Sequence, residues 1–245
     1  MSLRRLAMAA GRFFQLPYAM GLDGMPTEAK MLWSFDRATV GQWLVATDRS
    51  IGGKSRCTFA HISDASIDAA GEAGTEEPEE GVGEGLGEGG TAEEVAVGSA
   101  GTAHGVFSGT ISLARTGKVK HSGYCAIVSE RLAEPIDLEG FEALEMRVRT
   151  DGRIYMVNMT MDTMMDDLYQ GYIMLEGGEW HTLELPFDRF LLTSRGRARD
   201  VQRKMDVDQM LSFGITLADQ QEGPFSLEIE YIKALPRTTP YLDLH

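Results

Sequence analysis

The sequence predicts an all-β fold, a β-sandwich, on three observations. Apolar residues alternate strictly in EWHTLELPF, at Leu183, Leu185 and Phe187, and in FSLEIEYIK, at Phe225, Leu227, Ile229 and Tyr231. That period of two marks strands with one buried face. Similar short runs recur along the chain between turn signals such as Gly223-Pro224, which is the spacing of a sandwich and not of alternating strands and helices. The length of 245 residues and a hydrophobic content of 43% suit one large domain with an ordinary core.

Taken in order, residues 1–30 form an N-terminal segment, 31–235 the sandwich domain and 236–245 a short tail. The first 22 residues carry Arg4, Arg5 and Arg12 and no acid. On a helix Leu3, Leu6, Ala7, Ala10, Phe13 and Phe14 fall opposite those arginines, the pattern of an import signal and equally that of an ordinary amphipathic helix. Strands are expected near 31–36, 41–47, 56–62, 104–112, 121–129, 141–149, 153–160, 170–175, 179–185, 211–217 and 225–233. The clearest turn is Thr150-Asp151-Gly152-Arg153, which reads as a type I′ hairpin with Asp-Gly at its centre. Its register would place Leu144, Met146 and Val148 with Tyr155, Val157 and Met159 in the core. Arg147, Arg149, Ile154, Met156 and Asn158 would then share the opposite face.

Between RCTFAHI and HGVFSGTIS, residues 64–105 are rich in Gly, Glu and Ala. Such a segment buries too little apolar area to offset its ordering entropy, so it reads as a disordered acidic loop inserted in a hairpin. It also distorts the charge. The net charge is −14, and residues 64–94 hold two Asp and nine Glu without Lys or Arg, so removing those eleven leaves −3. The folded part is nearly neutral, and the low pI says little about its working surface.

Cys57 and Cys125 are the only cysteines, too few for a disulfide framework or a four-thiolate metal site. They read as buried thiols, with a bridge available if their strands meet. No apolar run approaches the roughly 20 residues of a membrane-crossing helix. The histidines His61, His104, His121, His181 and His245 lack metal-site spacing, and no nucleophile elbow, P-loop or dinucleotide fingerprint is present. IGGKS at 51–55 lacks the upstream glycine of a P-loop and reads as a turn. Asp162, Asp166 and Asp167 fit no EF-hand spacing for calcium. No catalytic residue, metal ligand or cofactor site is nominated.

The candidate working residues are cations and thioethers. Arg195, Arg197 and Arg199 crowd into TSRGRARDVQRK with Arg203 and Lys204. Guanidinium groups there suit phosphate, anionic headgroups or an acidic protein patch, or else internal pairing with Asp188, Asp200 or Asp219. No aromatic residue interleaves with them, so single-stranded nucleic acid is not expected. Six of the fourteen methionines, Met156, Met159, Met161, Met164, Met165 and Met174, lie close together. Thioethers there suit either irregular core filling or an adaptable contact surface. Arg147 and Arg149 beside Ile154 and Met156 give a second mixed face of the kind found at interfaces.

Several segments occur in a recognisable order: DRSIGGKS from Asp48, HSGYCAIVS from His121, MRVRTDGRIYMVNM from Met146, LPFDRFLLTSRGRARDVQ and FGITLADQQEGPFSLEIEYIKA. Over roughly Trp33 to Ala234 they resemble the complex I intermediate-associated protein 30 family, broken by the acidic insertion. The resemblance implies a galactose-binding-like jelly roll without enzymatic activity. It also implies an assembly factor for respiratory complex I that contacts membrane-arm intermediates and other assembly factors. The implied address is the mitochondrial matrix, peripheral to the inner membrane, with the chloroplast as alternative. The competing reading is a carbohydrate- or ligand-binding sandwich. Trp33, Trp43 and Trp180 lie in strand patterns that suggest burial and not a sugar-stacking platform.

Overall fold

The computed structural model describes residues 24–63, 103–114, 122–162, 167–194 and 196–238. The N-terminal arginine segment, the acidic insertion up to residue 102, Arg195, Met164, Met165, Asp166, His121 and the last seven residues lie outside that set. The strands are β1 (Lys30–Ser34), β2 (Trp43–Thr47), β3 (Arg56–Ile62), β4 (His104–Ile111), β5 (Cys125–Ser129), β6 (Phe141–Thr150), β7 (Tyr155–Met161), β8 (Asp167–Ile173), β9 (Trp180–Pro186), β10 (Leu191–Ser194), β11 (Arg197–Ala198), β12 (Met210–Leu217) and β13 (Gly223–Pro236). They form two antiparallel sheets. One has six strands in the order β3-β4-β13-β6-β9, with β1 also on β13; the other has seven, in the order β11-β10-β8-β7-β12-β5-β2. A single helical turn, α1 (Arg37–Val40), is capped by Asp36, whose carboxylate accepts from Thr39 N.

The inward faces meet in one core. Phe107, Leu144, Met146, Val148 and Leu227 of one sheet pack on Tyr155, Val157, Met159, Phe213 and Ile215 of the other, all essentially without solvent contact. Trp33 and Trp43 are buried there, 5.7 Å apart edge to face. β13 contains an irregularity between Ile229 and Tyr231. The extra residue restarts the alternation, so Ile232 turns inward while Tyr231 pairs with Arg147 on the outer side. The unbroken alternation read from FSLEIEYIK ends at that bulge.

The hairpin at 150–153 does not form. β6 lies between β13 and β9, β7 lies between β12 and β8, and the chain crosses from one sheet to the other at this corner. Gly152 has φ 87°, but Asp151 does not take the positive φ that a type I′ turn also needs. The Asp151 carboxylate instead accepts from Ser226 N (2.8 Å), Arg153 N (3.1 Å) and the Tyr155 hydroxyl (3.0 Å), and Gly178 N donates to Thr150 O. Tertiary bonds override a strong local turn signal. The inward sets are as expected, because Leu144, Met146 and Val148 face Tyr155, Val157 and Met159 across the sandwich. The outward sets are not joined: Arg147 and Arg149 lie on one outer surface, Met156 and Asn158 on the opposite one.

Candidate functional site

The outer face of the six-stranded sheet is charged and satisfied from within. Register places Glu228 beside Arg149, and Arg149 beside Trp180, with Arg147 beside Thr182. Arg149 grips Glu228 through Nε at 3.0 Å and Nη2 at 2.5 Å, and His104 Nε2 lies 2.9 Å from the same carboxylate. Arg147 Nε donates to Glu230 at 3.0 Å and Nη1 to Thr182 Oγ1 at 3.2 Å. Both guanidinium groups sit over the Trp180 ring, at 5.8 and 5.3 Å, and His104 meets the same indole edge to face. Trp180 is therefore half-buried on an outer surface, not in the core as its strand pattern suggested. Its ring faces cations already bound to neighbouring carboxylates.

The outer face of the seven-stranded sheet has the opposite character. Met156 pairs with Thr216 on one side and Tyr172 on the other, and Asn158 pairs with Gln170, which pairs with Leu191. On the same side lie Leu44 and Val128 from β2 and β5. Leu44 is 59% exposed, Ile154 44%, Leu191 43% and Met174 67%. The polar residues among them bond to one another: Asn158 Nδ2 donates to Thr216 Oγ1 at 2.9 Å, and Gln170 Nε2 to Asn158 Oδ1 at 2.8 Å. This leaves an apolar surface with a fixed polar row through its middle and no charge along that row. Exposed apolar residues gathered on one sheet face mark interaction sites.

β10 and β11, absent from the strands expected, extend this sheet into the basic loop. Arg197 is exposed on β11. Arg199 forms an ion pair with Asp167 of β8, and its backbone N donates to Leu192 O. The Ser194 hydroxyl first, and then Arg199, hold the Asp167 carboxyl below the usual carboxylate range. Gln202 locks the loop by bonding both backbone groups of Leu192 and the carbonyl of Arg199. Arg199 is thus partly an internal partner, with Asp167 and not with the acids that the sequence suggested. Asp219 belongs instead to Arg153.

Two of the recognisable segments prove structural. Arg153 of TDGR reaches Asp219 through Nε (2.8 Å) and Nη2 (2.6 Å) and donates to the carbonyls of Gln221, Gly223 and Pro224. The side chains are 11% and 5% exposed, so this fork pins the β12–β13 connection to the corner. Burial raises the Asp219 pKa, but Arg153 and the Gln221 N–H together outweigh it and hold the carboxyl below the usual range. In DRSIGGKS, Asp48 is fully buried and accepts from Ser55 N, Ser55 Oγ and Gly123 N at 2.9, 2.9 and 2.6 Å. A Cβ at Gly53 would fall 2.1 Å from that carboxyl carbon, so only glycine fits. Asp162 is exposed against Arg131, and among the described residues no three His, Cys, Asp or Glu side chains gather as a metal site. Nothing local in the sequence links Arg153 to Asp219; only the fold joins them.

The family described as complex I intermediate-associated protein 30 matches residues 33–229. The chain is 30% identical over 233 residues to "Complex I intermediate-associated protein 30, mitochondrial" of Mus musculus, covering 86% of this chain and 60% of that protein. It is 32% identical over 143 residues to the protein of the same name in Drosophila melanogaster, covering 52% and 48%. The chain therefore spans between about half and three-fifths of the length of these relatives. Among solved structures, a family 11 carbohydrate-binding module of a Clostridium thermocellum cellulase superposes with TM-score 0.52 at 15% identity, covering 87% of this chain and 98% of the module. The same module bound to a mixed-linked tetrasaccharide superposes at 0.51 and 15%, covering 85% and 95%. These establish the galactose-binding-like jelly roll as the fold and carry nothing about ligand.

Proposed function

Because the chain belongs to the complex I intermediate-associated protein 30 family, we propose that it is a non-enzymatic assembly factor for mitochondrial respiratory complex I. In this reading it docks on membrane-arm intermediates and their other assembly factors through the outer face of its seven-stranded sheet. The exposed apolar set of Leu44, Ile154, Tyr172, Met174 and Leu191 around Met156 carries the reading. Arg197 and Arg199 stand at the β11 edge of the same sheet, and Arg195 precedes them in the sequence. Aromatic residues, methionine and arginine are the residues enriched at protein interfaces. Arg147 and Arg149 drop out as primary contacts because their charges are already matched. A matrix location, peripheral to the inner membrane, accords with the mitochondrial names of the relatives and with Arg4, Arg5 and Arg12 near the N-terminus.

The carbohydrate alternative requires an aromatic ring open to a sugar face; Trp180 lies beneath two guanidinium groups, which leaves the exposed Tyr172 ring as its candidate on the apolar face. The docking reading is tested by Tyr172→Glu with Met174→Glu in the full chain. Both side chains are exposed, so the thermal transition should stay at the wild-type value. Recovery of complex I subunits with the tagged protein should fall by roughly tenfold or more, as for loss of a central interface contact. A folded variant that recovers those subunits and restores complex I in cells lacking the protein would overturn the reading.

A further inference from the structure

Cys57 and Cys125 belong to different sheets, β3 and β5, yet their side chains meet across the sandwich. Strand parity turns both inward: Cys57 shares its side with Phe59, and Cys125 with Ile127. Cys57 Sγ lies 3.9 Å from the carbonyl oxygen of Ala46. Ala46 is the register partner of Ala126, the residue after Cys125. The sulfur of one sheet is therefore seated on the β2–β5 ladder of the other, beside Cys125. Cys57 is half-buried on the edge strand β3, whereas Cys125 is fully buried.

We propose that Cys57 and Cys125 form a reversible oxidation site, a dithiol that closes to a disulfide between the two sheets when a small disulfide such as glutathione disulfide is the oxidant. The contact divides the labour between the sulfurs. Hydrogen bonding from Cys125 lowers the Cys57 pKa, and the same contact together with burial raises that of Cys125. Cys57, the thiol nearer to solvent, is the attacking thiolate. It displaces one glutathione thiolate and forms a mixed disulfide with the other half of the oxidant. Cys125 then loses its proton to solvent and attacks the Cys57 sulfur, expelling the second glutathione. Two protein thiols give up two hydrogens, and one glutathione disulfide becomes two glutathione molecules. The new bond ties β3 to β5 and closes the chain between residues 57 and 125, which restricts the unfolded state.

This site is independent of the docking reading. The test uses the full chain in graded mixtures of glutathione and glutathione disulfide, trapped by alkylation and mapped by peptide mass spectrometry. A Cys57–Cys125 cross-linked peptide within one chain is expected, growing with the oxidised fraction and reversed by reductant. The thermal transition should rise by roughly 5–10 °C on oxidation, and Cys57→Ser should abolish the rise. Free alkylation of both cysteines at every ratio, links only between chains, or a persistent Cys57–glutathione adduct would each overturn the proposal. Peptide mapping on the wild-type chain keeps the test decisive if Cys125→Ser fails to fold.

Discussion

The two outer faces of the sandwich are built from the same strand geometry and finished in opposite ways. On the six-stranded sheet, charges fall opposite counter-charges across the strands, so Arg147, Arg149, Glu228, Glu230 and His104 satisfy one another. On the seven-stranded sheet, Asn158, Gln170 and Thr216 bond to one another along one row, and Leu44, Ile154, Met174 and Leu191 stay in solvent. Charge density is thus a poor guide to a working surface. A face already neutralised by its own residues gives a partner little, because breaking half-buried pairs costs what new ones return. An exposed apolar face gains from any cover that removes it from water.

The largest expected effect lies where the two faces join. Arg153→Met removes a bidentate partner from Asp219, which is only 5% exposed. A loss of about 3–5 kcal/mol is expected in denaturant unfolding at neutral pH. The dependence on pH follows from the depressed Asp219 value: its stabilisation is complete above the unfolded carboxyl value of about 3.9 and is lost as pH falls through the folded one. The gap between wild type and variant should therefore narrow below about pH 4. A gap that stays constant into acid would assign the cost to lost packing and not to the pair.

A smaller effect distinguishes the faces themselves. Arg149→Met breaks a pair whose side chains are 39% and 18% exposed, and Glu228 keeps His104 beside it. With solvent screening, a loss of about 1 kcal/mol is expected, with no change in recovery of complex I subunits. Loss of that association in a folded Arg149 variant would shift the working surface to the charged sheet.

Much of this was legible in the sequence. Alternation located β1 to β9, β12 and β13, and parity identified Leu144, Met146, Val148, Tyr155, Val157 and Met159 as core, since burial follows a local period. Sheet membership was not legible. Asp151-Gly152 has the residues of a hairpin, and only distant bonds from Ser226 and Gly178 turn it into a corner between sheets. Reading that turn as a hairpin joins Arg147 and Arg149 to Ile154 and Met156, which the sandwich holds on opposite outer surfaces. Tyr172 and Leu191 could have been added to Met156 only with the register of β7, β8 and β10 in hand. β10 and β11, with four and two residues, are too short for a period to show in the sequence.

The smallest effect concerns the acidic insertion that leaves the charged sheet. Ile62 and His104, the last register pair of β3 and β4, hold its two ends together through a ladder that begins at Arg56 and Thr110. The strands already fix the closure, and loop entropy changes only with the logarithm of length, so replacing residues 68–100 by a short Gly-Ser link should alter stability by no more than about 1 kcal/mol. The replacement also removes acids that lie within a chain segment starting beside His104. If they contribute to the neutrality of that face, the shortened protein should show a stronger salt dependence of stability, because Arg147 and Arg149 would then rely on Glu230 and Glu228 alone. An unchanged salt dependence, measured by thermal unfolding across ionic strength, would confine the self-sufficiency of the charged face to the strand residues. A collapse of the thermal transition would show that the segment is part of the folded unit and end the idea that the ladder closes the hairpin unaided.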